Sequence, residues 1–278
     1  IISSATLREP YRPKAARAPW LPLSRAVYPG PLRCATCARY AGLRAVDART
    51  VDRMRVVLMT ADAPHYHYFA RELAEHIDLD RIIVTPPVHA PARFYADHWL
   101  DEATEHTVVT DGLAGNWPGF EALAPAIHAR GPNEPAVAEL LTARKCDVLL
   151  EIGTTIVRPQ ILEIPRIAAL NIHGGNAETY RGVEARLWAV FNHDFANIMT
   201  TLHVMDAHLD TGPIVSQTEV PLTASTAISD LALLAMDGAL DMTVGALLGL
   251  ERGRRLPLRP QLQRGRYYTW MPAILKDE

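Results

Sequence analysis

The feature that most constrains this chain is a series of short, almost wholly apolar runs separated by amphipathic ones. "RVVLMT" (55–60), "RIIVTPP" (81–87), "DVLLEIG" (147–153) and "AALNIH" (168–173) read as strands covered on both faces. Between them, "HYFARELAEHI" sets Phe69, Leu73 and Ile77 on one helical face. In "NEPAVAELLTARKC", Asn133 is expected to cap a helix, Pro135 suits its first turn, and Val137, Leu140 and Leu141 form its apolar stripe. "RPQILEIP" gives a short helical turn stopped by Pro165. Buried strands alternating with crossover helices demand parallel pairing with right-handed connections. The predicted class is therefore α/β, a doubly wound, mostly parallel sheet.

The second half is more varied. "NAETYRG" reads as a polar loop and "EARLWAVFNHD" as a helix with Trp188 in the core. "IMTTLHVM" alternates Ile198, Thr200, Leu202 and Val204 against Met199, Thr201, His203 and Met205, the pattern of a half-covered strand. A long helix is predicted from about Ser229 to Leu248. The stretch holding Trp99, Trp117 and Phe120 shows no clear period.

Composition narrows what such a sheet could serve. With 49% hydrophobic residues in 278, the chain can bury a substantial core. Its net charge of -3 exerts no global pull on nucleic acid or acidic membrane, so a small-molecule partner is expected, with no nucleic-acid or membrane partner. No long uncharged apolar run is expected to span a bilayer. Three cysteines, Cys34, Cys37 and Cys146, suit a reducing compartment, and the location expected is cytoplasmic. The Cys34–Cys37 spacing resembles half a zinc site, but no second pair completes it. Residues 1–53 hold ten Lys or Arg against three acids and many prolines, and read as a basic, irregular extension before a catalytic domain at 54–278, with Met54 near the working start. Nothing in the sequence assigns an oligomeric state.

Chemistry gathers at two strand ends. "NIHGG" closes an apolar strand with Asn171 and His173, which, two residues apart, project to the same side. Asp210, after the next strand, is placed to reach them, hold the imidazole and favour its protonated form. An amide N–H beside them suits an oxygen on which negative charge develops. No Ser or Cys stands in a nucleophile elbow, so acyl transfer directly to an amine or water fits best. His203, seven residues before Asp210, reads as structural, and Glu151 as a paired or solvated carboxylate. His65 and His67 form an H-x-H without a third metal ligand, so no metal is expected.

With N-x-H at a strand end, "YRG" shortly after it, and "LDTGPI" one helix and one strand later, residues 54–250 resemble the folate-dependent formyltransferases, most strongly over 147–222. That resemblance implies a Rossmann-like formyltransferase fold and 10-formyltetrahydrofolate as co-substrate, without a metal. It assigns Asn171 to the carbonyl and oxyanion, His173 to the oxyanion and proton transfers, and Asp210 to orienting His173. It implies folate contacts at Gly153, Thr154, Thr155, Ile156 and Val157 and at Leu209, Thr211 and Gly212, and acceptor contacts at Tyr180 and Arg181. Glu178 stands where the family commonly has Pro, beside the acceptor site. The chain ends too soon for the additional domain of the tRNA-acting members, so the expected acceptor is a small amine such as an amino sugar. A hydrolase of the same donor, or an idle folate-binding relative, are the alternatives.

Overall fold

The computed structural model describes residues 53–88 and 119–276. The basic segment, Cys34, Cys37, Trp99 and Trp117 lie outside them. The chain runs β1 (Val56–Ala61), α1 (Pro64–Ala74), β2 (Leu79–Thr85), β3 (Ala126–His128), α2 (Pro135–Ala143), β4 (Val148–Ile152), α3 (Pro159–Leu162) and β5 (Ala168–His173). It continues through β6 (Tyr180–Gly182), α4 (Ala185–Phe191), β7 (Met199–Val204), β8 (Ile214–Glu219), α5 (Leu231–Glu251), β9 (Arg266–Tyr268) and α6 (Ala273–Lys276). Three of the helices, α1, α2 and α3, begin at a proline, whose fixed φ and missing N–H cost nothing in a first turn.

Seven strands make one sheet in the order β3-β2-β1-β4-β5-β7-β8. The pairings from β3 to β5 are parallel, as the alternation of strands and helices predicts; β7 and β8 then join antiparallel. The chain winds outward from β1 in one direction through β2 and β3, and returns to β1's other side as β4. Such a reversal, at the carboxyl ends of β1 and β4, is where open α/β sheets place their ligands.

Alternate residues feed two cores. Val56 and Leu58 join α1 and α5 on one side, while Val57, Met59, Leu149 and Ala169 join α2 and α3 on the other. Odd-numbered residues of β4 and β5 share this second side, so Glu151, Asn171 and His173 do too.

Three expectations need correction. Glu134, not Asn133, occupies the start of α2, because the Asn133 amide is used elsewhere. β7 is covered on both faces: Thr200, Thr201 and His203 are buried. Burial of Thr201 is tolerable because its hydroxyl donates to Gly175 O at 2.7 Å and accepts from Gln217 Nε2 at 3.1 Å. "YRG" is not loop but β6, paired in parallel with β9. Residues 228–251 are long and apolar enough, by length and composition alone, to cross a membrane, but they carry Asp237 and Asp241 and are not a long uncharged run. Here α5 packs on α1, β7 and β8 and buries Leu231, Met236, Leu240, Val244 and Leu247.

Candidate functional site

The register of the sheet assembles the site. Glu151 of β4 lies beside Asn171 of β5, and Asn171 lies opposite His203 of β7. Paired residues of adjacent strands point the same way, so the three form a row across the sheet. His173 follows on the same side, and the turn after β7 brings Asp210 over the row. Asp210 adopts a left-handed backbone, φ 53°, which bends the chain back sharply enough to aim its carboxylate inward.

Asp210 Oδ2 accepts the Gly182 N–H at 2.8 Å and lies 3.5 Å from His173 Nδ1. Oδ1 accepts from Asn171 Nδ2 at 3.3 Å and lies 3.6 Å from His203 Nε2. Asn171, His173 and Asp210 are thus brought together, as the sequence predicted. Burial alone would raise the Asp210 pKa, but His173, His203 and the Gly182 N–H outweigh it and hold the carboxyl far below the usual range. It is a fixed negative charge.

His173 does not take the protonated form expected of it. Burial lowers its pKa, with His203 and Arg186 adding to the effect, and Asp210 only partly offsets this. Its Nε2 lies 2.7 Å from Tyr180 O, an acceptor only, which assigns the proton to Nε2 and leaves Nδ1 basic beside Asp210. His203 has the opposite tautomer: Nδ1 faces Val204 O at 3.0 Å, and Nε2 faces Asn171 Nδ2 at 3.1 Å as acceptor. Burial pulls the His203 pKa down, but Asp210 outweighs it and leaves it raised. His203 therefore orients the amide of Asn171, a function its place seven residues before Asp210 did not reveal; the signal was its parity with Asn171 across the strand pair.

The loop after β4 begins at Gly153, φ 77°, where a Cβ would stand 2.1 Å from the Tyr66 ring. Thr154 N donates to Glu151 Oε1 at 2.7 Å. Asn133 clamps the loop's far end, its Nδ2 donating to Ile156 O at 2.8 Å and its Oδ1 accepting from Arg158 N at 2.7 Å. Val157 is buried, whereas Thr155 and Ile156 are exposed. In the second expected folate segment, Leu209 O accepts from Arg181 Nη1 and Gly212 O from Gln261 Nε2, while the Thr211 hydroxyl donates to Asp206. Each of these carbonyls keeps a second lone pair.

Tyr180 and Arg181, expected to contact an acceptor, face inward instead. Tyr180 is buried, with its hydroxyl donating to Asp194 Oδ2 at 3.0 Å. Arg181 is buried and donates from Nε to Gly265 O at 2.6 Å as well as to Leu209 O. A buried guanidinium must be satisfied, and two backbone carbonyls do so here. Glu178 receives both ends of the Arg259 fork at 2.7 Å, and the Arg259 pairing holds its carboxyl below the usual range despite burial. Trp188 donates to Thr269 O and leans on Tyr268, so it is partly buried against the core. His65 and His67 diverge: His65 tilts against Tyr66, while His67 bonds Asp62 and stacks on Phe120. Among the described residues, no cluster of three or more His, Cys, Asp or Glu side chains is arranged to hold a metal ion.

Residues 107–236 match the family model described as formyl transferase. Over 147 residues the chain is 31% identical to the methionyl-tRNA formyltransferase of Synechococcus sp. (strain JA-2-3B'a(2-13)), covering 52% of this chain and 44% of that protein. The chain thus spans less than half the length of that relative. Its fold is similar to that of a sugar N-formyltransferase from Shewanella sp. FDAARGOS_354, with a TM-score of 0.51 at 15% identity over 78% of this chain and 77% of the other. It is also similar to HypX from Aquifex aeolicus in complex with tetrahydrofolic acid, with a TM-score of 0.51 at 14% identity over 81% of this chain and 31% of that one.

Proposed function

Because the chain belongs to the folate-dependent formyltransferase family, we propose that it moves a formyl group from 10-formyltetrahydrofolate to the amine of a small molecule such as an amino sugar. The observation that carries this reading is the convergence of Asn171, His173 and Asp210 at the carboxyl ends of the sheet, with no nucleophile among them. The amine attacks the formyl carbon directly. The oxyanion that forms takes an N–H of Asn171, displacing the longer of its two contacts, the 3.3 Å one to Asp210. His173, neutral and basic at Nδ1, takes the proton shed by the attacking nitrogen. Asp210 stays ionised and stabilises the imidazolium so formed.

The small-amine reading draws support from the likeness to the sugar N-formyltransferase fold. The donor reading draws support from the tetrahydrofolate-bound neighbour, and the surface proposed for the folate is Gly153–Val157 with the Leu209–Gly212 turn. Incubation with 10-formyltetrahydrofolate and a panel of amino sugars, simple amines and methionyl-tRNA, following tetrahydrofolate release, tests both. Release that depends on a small amine is expected. Release without any amine would mean hydrolysis, release with methionyl-tRNA alone would move the acceptor to RNA, and no release would mean an idle relative.

A further inference from the structure

Glu151 has no task in the transfer just described, yet it stands inside the site. It is 5% exposed and neighbours Asn171 in register on the side of the sheet from which Asn171 and His173 project. The in-register residue of β1 on its other flank is Met59, which is apolar. The charged or titratable groups acting on it are Asp210 and His203, and among the described residues its carboxyl finds its hydrogen bonds at Thr154. Among the described residues, no lysine or arginine fork holds it as Arg259 holds Glu178. Burial without a cation disfavours the carboxylate, and the Asp210 charge acts in the same direction. Together they outweigh Thr154 and His203 and push the Glu151 pKa up to about 7.

The other acids and bases of the site are committed. Both Asp210 oxygens accept N–H bonds, and it stays ionised. His173 gives its Nε2 proton to Tyr180 O and keeps Nδ1 as a base. The site thus contains a base at His173, while His203, whose pKa Asp210 raises, is turned towards Val204, Asn171 and Asp210; the acid bonded to the loop at 153–157 is Glu151. Position separates the two functions. His173 lies towards Tyr180 and Gly182, and Glu151 is bonded to the loop at 153–157, the proposed folate side, with Asn171 between them.

We propose that Glu151 is the proton donor to the folate nitrogen as it departs from the formyl carbon. This rests on the transfer reading above. The amine nitrogen forms its bond to the formyl carbon and loses a proton to His173 Nδ1. The bond from that carbon to N10 breaks, its electron pair stays on N10, and N10 takes the proton of the Glu151 carboxyl. One proton has been gained at His173 and one lost at Glu151, and transfer between them through solvent resets the site without any further reactant.

The test is the pH profile of kcat in the full chain, wild type against Glu151→Gln. Glutamine keeps an oxygen for the Thr154 N–H, so a merely structural role survives the change. The wild type is expected to lose activity above about pH 7 as Glu151 ionises. The variant is expected to lose that basic limb and to fall 10- to 100-fold in kcat near neutral pH, with the KM for the donor changed less than threefold. A variant that keeps the basic limb overturns the proposal. A second measurement needs no turnover: the infrared carboxyl band present in wild type and absent from Glu151→Gln should fade as pH rises through about 7, and a band already gone by pH 5 overturns the proposal as well. If the wild type itself formylates no amine, the transfer reading fails. That outcome is distinct from an active wild type whose variant keeps its limb, which removes Glu151 alone.

Discussion

The loops that follow β4 and β5 leave adjacent parallel strands at the same edge of the sheet, yet they are held in opposite ways. The loop after β4 is tied by near neighbours: Glu151 three residues before Thr154, and Asn133 little more than twenty residues away. Its crest, Thr155 and Ile156, stays exposed. The loop after β5 is tied to the far end of the chain. Glu178 bonds Arg259 and Leu262, Arg181 bonds Gly265, and β6 pairs with β9. The first is an open shelf with a short tether; the second is a wall built into the molecule. Under the proposed function the folate would lie on the shelf and the acceptor against the wall, so the contact between loop 174–182 and residues 259–271 is where that proposal expects acceptor choice to be sensitive.

Breaking the wall should have the larger effects. At Gly182, φ 96°, an added Cβ would stand 2.0 Å from Tyr268 O, a backbone atom that cannot swing away. Gly182→Ala is expected to separate β6 from β9 and to displace the N–H that Asp210 accepts. Thermal denaturation should show a loss of about 3 kcal/mol or more, on the scale of a left-handed position combined with a backbone clash. A variant as stable as wild type would mean that β9 is not a structural partner.

Arg259→Ala should follow. It leaves a largely buried Glu178 without its cation, at a cost of about 2 kcal/mol, the scale for hydrogen bonds to charged groups. The KM for the acceptor should rise more than that for the donor; equal rises would erase the distinction between wall and shelf. Asn133→Ala acts on the shelf. Loss of its two hydrogen bonds should cost on the order of 1 kcal/mol and raise the donor KM a few-fold, with the acceptor KM unchanged.

The effect on stability that depends on pH belongs to Glu151. Its folded pKa, about 7, lies above the ordinary glutamate value of 4.5. The acid form is therefore favoured by folding, and the contribution is intact below about pH 4.5 and lost as pH rises through 7. Glu151→Gln should melt close to wild type at pH 4.5 and above it at pH 8, by on the order of 1–2 kcal/mol in unfolding free energy. A difference independent of pH would contradict burial of an ionisable carboxyl there.

What the sequence made legible follows from the same contrast. β1, β4, β5 and α5 announce themselves because their apolar runs are long and local, and N-x-H is visible because two polar residues stand out at the end of a buried strand. β6 and β9 are three residues each and meet across more than eighty positions, so no local pattern marks either one. The same distance hides the occupations of Arg181 and Glu178, whose partners sit near the chain's end. Asn133 looks like a helix cap because that is what an Asn before Pro135 does locally; the loop at 156–158, brought alongside by the sheet, offers its amide two partners instead. A proton on His173 is the natural expectation with Asp210 foreseen beside it, while the burial that removes the proton belongs to packing and cannot be read from spacing.

Under the proposed function, Asn171, His173 and the fixed charge of Asp210 carry out the transfer together. The substitution Asp210→Asn keeps the left-handed backbone, which asparagine adopts readily, while removing the charge that stabilises the His173 imidazolium. The deciding measurement is therefore the amount of formylated amine and tetrahydrofolate, quantified together by mass spectrometry, made by wild type and by Asp210→Asn of equal melting temperature. Equal amounts of the two products are expected from wild type, and a fall in both by about two to four powers of ten in the variant. A variant that makes both at the wild-type rate would contradict the proposed function.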